Sequence, residues 1–191
     1  METNYSISRP ELLTVTQDGH SWRGADQLWY HDDWQQKAGC GPTTASMMAS
    51  YLAQTRRDCA SLYPSGSWEQ GDVIALMEEM WNFVTPGKHG VNTTHLFVKG
   101  LTAFAAGKGV TLPLRELDIP RLRLARPTMD QCAAFLRSSL NADQPVAWLN
   151  LHRGEVEALD DWHWVIIIAL EERRDGTELC TILDGGREYA V

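Results

Sequence analysis

Apolar residues recur along this chain at two periods, and the period changes once. Through the first two thirds they fall three and four residues apart, the spacing of a helix with one buried face. Ala45, Met48, Ala49 and Leu52 predict a helix from Cys40 to about Gln54. Val73, Leu76, Met77, Met80 and Trp81 predict a second from about Asp72 to Phe83, closed by Pro86-Gly87. Leu96, Phe97, Leu101, Phe104 and Ala105 predict a third, starting near Asn92 or Thr93 and stopped by Gly107 and Gly109. Thr128, with Gln131 three residues on, is the sequence of a capping box, so a fourth begins there and ends near Asn141. Tyr63-Pro64-Ser65-Gly66-Ser67 is strong turn chemistry after the first helix. Val110 to Ala125 reads as extended, with Leu122 and Leu124 alternating against Arg121, Arg123 and Arg126 as a solvated strand face.

In the last third the helical spacing gives way to strand-like apolar stretches: Val146 to Leu151, His163 to Leu170 and Glu178 to Leu183. Asp175-Gly176 marks a hairpin turn between the latter two. Helices first and an antiparallel sheet afterwards is an α+β pattern rather than alternating βαβ. Residues up to about Gln36 are polar and aromatic, punctuated by Gly19, Gly24 and Asp32-Asp33, and read as irregular. With no internal repeat or linker in sight, 1–191 is expected to be a single domain: 1–36 irregular, 37–141 helical, 145–191 an antiparallel sheet. A chain of 191 residues can bury a core without staples.

Charge narrows the partners. The net charge of −8 argues against nucleic acid and anionic membranes as main partners, and no basic block overturns it. The eight Trp are many for this size, and some are expected to line grooves or shield polar groups. The four cysteines, Cys40, Cys59, Cys132 and Cys180, are far apart, with no His at zinc-finger spacing, so neither a metal nor another cofactor is expected. The first residues lack a basic and then apolar leader pattern, and the longest apolar run, Val165 to Leu170, is too short to span a bilayer. Free thiols in a cytoplasmic protein is the reading these features support.

Candidate chemistry centres on Lys37-Ala38-Gly39-Cys40-Gly41-Pro42-Thr43-Thr44, where a thiol opens a helix. Pro42 suits the first turn, where its missing N–H costs nothing. Gly39 and Gly41 allow a tight turn and room for a substrate. A cysteine at a helix N-terminus feels the positive end of the dipole, which favours the nucleophilic thiolate. The competing reading is a small apolar residue packed under a loop; the flanking glycines and Pro42 weigh against it.

A thiol nucleophile needs a base, and the base needs something to hold it. Of six histidines, His163 opens the most apolar strand, inside Asp161-Trp162-His163-Trp164-Val165, where it can reach a cleft with its backbone locked. Register supplies the third group. A hairpin loop of Glu172 to Asp175 sets Asp184 directly opposite His163, and a tighter turn at Asp175-Gly176 sets it opposite Ile167. Either register keeps carboxylate and imidazole on one side of the sheet. A structural histidine and a turn-initiating Asp are the bland alternatives.

Cys40-Gly41-Pro42-Thr43 before a helix, then His163-Trp164-Val165-Ile166-Ile167-Ile168, then Ile182-Leu183-Asp184-Gly185-Gly186, resembles papain-like cysteine peptidases. The similarity is to the branch holding bacteriocin leader peptidases and their stand-alone bacterial relatives, and it spares the stretch from about Asp58 to Pro127. It implies a papain-like fold, with the nucleophile helix packed on the C-terminal antiparallel sheet. It also implies a Cys40–His163–Asp184 triad that cleaves a peptide or small amide through a thioester. An acyltransferase using the same triad, as in the phytochelatin synthases of this fold, and a non-catalytic binding module are the alternatives. The family places a Gln about six residues before the Cys to complete the oxyanion hole. Trp34 stands there, so Gln35 and Gln36 are the oxyanion candidates. Seven residues follow Asp184 where such sheets often continue, so a chain cut short or completed by a partner is expected.

Overall fold

The computed structural model describes residues 3–120, 122–152, 156–157 and 159–191. Elements follow one another as β1 (Thr3–Ser6), β2 (Thr14–Gln17), β3 (His20–Arg23), α1 (Asp33–Ala38), α2 (Cys40–Thr55), α3 (Gln70–Trp81), α4 (Thr94–Gly107), α5 (Met129–Asn141), β4 (Val146–Asn150), β5 (His163–Glu172), β6 (Glu178–Asp184) and β7 (Arg187–Ala190). Short 3₁₀ turns interrupt the connections. The fold is α+β with an antiparallel sheet.

The four periodic segments are all helical, and side-chain caps fix the starts of two of them. The Thr93 side chain caps α4 by accepting from the Leu96 N–H. Thr128 and Gln131 form the full capping box of α5. Burial of α2 exceeds the single face that its spacing predicts: every residue from Cys40 to Leu52 is buried. Its buried serines are short and satisfy themselves. The Ser46 hydroxyl donates to the Pro42 carbonyl at 2.8 Å and Ser50 to the Met47 carbonyl at 3.1 Å. Thus α2 is the central rod of the core, with β5, α3 and α4 packed around it.

The first 36 residues are not irregular. β1 pairs antiparallel with the far end of β5, Tyr5 opposite Leu170, while β2 and β3 form a separate hairpin. β1 and β4 share one edge of β5, β6 takes the other edge, and β7 closes the sheet beyond β6. The stretch after Val110 departs the other way. No strand forms there among the described residues; residues 110–120 have no regular structure and Arg123–Ala125 is a 3₁₀ turn. Leu122 and Leu124 are exposed, and Arg121 of the expected strand face lies outside the described residues. Alternation alone made that segment look like a strand, and no described strand pairs with it.

Candidate active site

Two helices meet end to end at the site. Asp32 caps α1 by accepting from the Trp34 and Gln35 N–H groups, at 2.8 and 3.1 Å. Helix α1 stops at Ala38, Gly39 turns the chain, and Cys40 starts α2. The glycines serve packing rather than an open turn. Gly39 has helical backbone (φ −82°), and a Cβ there would strike the Gln35 carbonyl and, at 2.6 Å, the Tyr30 ring. A Cβ on Gly41 would lie 2.9 Å from Val91 Cγ2. The space thought to be left for a substrate is filled by the protein's own side chains.

His163 is the first residue of β5, delivered by a strained step: Trp162 holds φ +59°. A bulky residue in the left-handed region is an outlier that its surroundings must enforce. The imidazole Nε2 lies 2.7 Å from Asp184 Oδ1, at the last residue of β6. Cys40 is the second polar partner of the ring. Burial would pull the His163 pKa down. Hydrogen bonding to Asp184 and to Cys40, with the charge of each, outweighs it and pushes the value up to about 10. Cys40, His163 and Asp184 line one cavity of about 10 Å³, room for roughly one water.

The strand register differs from both expected forms. Beside the turn, Glu172 pairs with Glu178 and Leu170 with Cys180. Continued unbroken, that pairing would set Asp184 opposite Ile166, on the other side of the sheet from His163. A bulge intervenes: Ala169 pairs with Thr181 but Ile167 with Ile182, so Ile168 is an extra residue in β5. Past it Ile166 faces Leu183, and the next step sets Asp184 level with Val165, on the same side as His163.

Neither oxyanion candidate lines this cavity. The Gln35 amide donates to Glu78 Oε2 at 2.7 Å, tying α1 to α3. The Gln36 amide donates to the Leu28 and Tyr30 carbonyls at 3.2 and 2.7 Å, holding the preceding turn. The amide that does line the cavity is Gln27. Its Nε2 donates to the Gln36 carbonyl at 2.8 Å, which leaves a second N–H on that nitrogen, and its buried Oε1 has no partner. Sequence reasoning passed over Gln27 because it stands thirteen residues before Cys40. Asp26 at the mouth of its short turn, accepting from the Leu28 N–H, is the local signal that fixes it.

Among the described residues no three His, Cys, Asp or Glu side chains gather as a metal ion would require. Nor is any helix among them long and apolar enough to cross a membrane. No known family, curated protein or solved structure matches this chain.

Proposed function

We propose that this protein is a papain-like thiol hydrolase that cleaves a peptide or small amide. The observation that carries the reading is the 2.7 Å His163–Asp184 contact with Cys40 as the imidazole's other partner, at the N-terminus of a buried helix. The papain-like architecture is supported by the helix α2 lying on β5 of the antiparallel sheet.

The chemistry follows from those groups. His163 takes the Cys40 proton, and the sulfur attacks the acyl carbon, forming an S–C bond. The imidazolium then returns a proton to the leaving nitrogen as the C–N bond breaks. Water, deprotonated by His163, hydrolyses the thioester and frees the acid. Asp184 orients the ring and steadies its positive charge. The Cys40 N–H and the free Gln27 N–H stabilise the oxyanion, each worth roughly 3–4 kcal/mol by analogy with serine proteases.

The test is a peptide and amide hydrolysis screen of wild type, Cys40→Ala and His163→Ala, each with circular dichroism to confirm folding. Hydrolysis present in wild type and absent from both variants is expected. Identical behaviour of wild type and Cys40→Ala in every assay overturns the proposal, and turnover only with an added amine or thiol acceptor replaces hydrolysis by acyl transfer.

A further inference from the structure

A second cavity, of about 470 Å³, lies between α2, α4, α5, β4 and the irregular segment after Val110. It is within the size range of small-molecule sites. Trp164 is the one side chain it shares with the Cys40 cavity. Its walls are hydrocarbon, aromatic or sulfur for the most part: Leu52 of α2, Phe97 and Val98 of α4, Phe135 of α5, Ala147 of β4. Ile119 and Met129 line it and stay exposed, 53% and 74%, so the apolar surface continues to the outside. One wall is a long stretch without regular structure, a feature that in compact domains usually serves binding.

Charge is confined to the rim. Arg56 is committed to Asp58 at 2.9 Å. Arg115 is exposed, donates to the Ser138 hydroxyl at 3.3 Å and lies 5.5 Å over the Phe135 ring. It forms no ion pair among the described residues, its neighbour Glu116 included. Glu116 lines the cleft as well, but of these two charged side chains it is Arg115 that leans over the Phe135 ring of the wall, where its guanidinium can meet the anionic head of a hydrocarbon tail.

We propose that this cleft binds a free medium-chain carboxylate, the acyl chain between α4, α5 and β4 and the carboxylate on Arg115. The proposal stands apart from the thiol chemistry, so its test needs no substrate. Octanoate, dodecanoate and hexadecanoate are titrated calorimetrically into the full chain, with dodecanol and phosphatidylglycerol vesicles as parallel arms. Expected is saturable one-to-one binding of at least one acid, with a negative heat-capacity change. Arg115→Gln should weaken it about tenfold, to the level of the alcohol. Bound acid should also protect Cys132, on the cleft wall, from alkylation. Ala147→Phe and Val98→Trp fill the cleft from opposite walls; whichever keeps the wild-type circular dichroism and melting must lose binding. No saturable binding of any acid, binding that survives a folded filling variant, association with vesicles only, or capture of apolar peptides with the acids inert overturns the proposal.

Discussion

His163 Nε2 and Asp184 Oδ1 meet at 2.7 Å, on one side of the sheet, because Ile168 is bulged out of its ladder. The pairing set at the hairpin turn assigns the two side chains to opposite sides of the sheet, and the bulge reverses one of them. Deleting Ile168 is therefore expected to leave a regular ladder in which Ile167 still faces Ile182 and Asp184 stays level with Val165, with imidazole and carboxylate on one side. Activity should stay above that of Asp184→Ala, and an NMR titration should show His163 keeping its Asp184 contact. Loss of that contact in the deletion would show that β5 changes its register against β6. Asp184→Asn should hurt less than His163→Ala, since an amide can still orient the ring.

The raised pKa of His163 links stability to pH. The unfolded imidazole titrates near 6.5 and the folded one near 10, so the folded state binds the extra proton between them. The stabilisation is complete below about 6.5 and is lost as pH rises through about 10. Urea unfolding at a series of pH values should show this decline in wild type and a flatter profile in His163→Ala. Cys40→Ala should lower the His163 titration, because the thiol is one of the groups that raise it. A wild-type profile that rises over that window contradicts the assignment.

The four thiols should separate by reactivity. Burial pushes the Cys59 and Cys132 thiols up, and Cys180 to about 11, whereas Cys40 has the His163 imidazole beside it. At pH near 6, iodoacetamide is expected to alkylate Cys40 first, read by mass spectrometry of the native protein. His163→Ala should slow that labelling and leave the other three unchanged. Uniform labelling of all four would remove the case for an activated nucleophile.

Much of this was readable in advance. Helix α5 declared itself because Thr128 and Gln131 act within one turn of each other. The expectation that Asp184 shares a side with His163 came from registers the strands do not have, and it holds because the bulge at Ile168 offsets the difference. The bulge was not readable, since Ile166, Ile167 and Ile168 are alike and offer no alternation to break. β1, β2 and β3 escaped notice because each is four residues long and largely polar, β1 held by the distant β5 and β2 and β3 by each other. Gln27 was missed because Asp26 marks only its short turn, while its place beside Cys40 is set by the Gln36 carbonyl, a tertiary contact.

Glycine at position 39 should be irreplaceable for packing reasons. Its helical φ suits any residue, but an added methyl meets a backbone carbonyl and a buried ring, neither free to retreat. Gly39→Ala is expected to cost about 1–3 kcal/mol, the range for overpacking, as a lower urea midpoint at unchanged slope. Gly66→Ala, in open space but at φ +59°, should cost less. Equal midpoints for Gly39→Ala and wild type would show that α1 and α2 can part to admit the methyl.

Gln27, Gln35 and Gln36 give the sharpest contrast. Gln27 lines the cavity with one N–H unspent, Gln35 is engaged by Glu78, and Gln36 holds two carbonyls of the preceding turn. If Gln27 completes the oxyanion hole, Gln27→Ala should lower kcat about a hundredfold or more with KM little changed, because the bond forms only as charge develops on the oxygen. Gln35→Ala should leave turnover near wild type, since its amide is held by the half-buried Glu78 carboxylate of α3 and does not line the cavity. Gln36→Ala removes the support of the Gln27 turn, so it should reduce stability first and activity in proportion. Gln27→Glu discriminates further: it keeps the shape but replaces the donor by an anion facing the developing negative charge, and should be at least as inactive as Gln27→Ala. Steady-state kinetics on all four variants, with melting temperatures alongside, reads the pattern directly. Loss of turnover in Gln35→Ala with Gln27→Ala unaffected would return the oxyanion role to α1 and mean that the helix turns over when substrate binds.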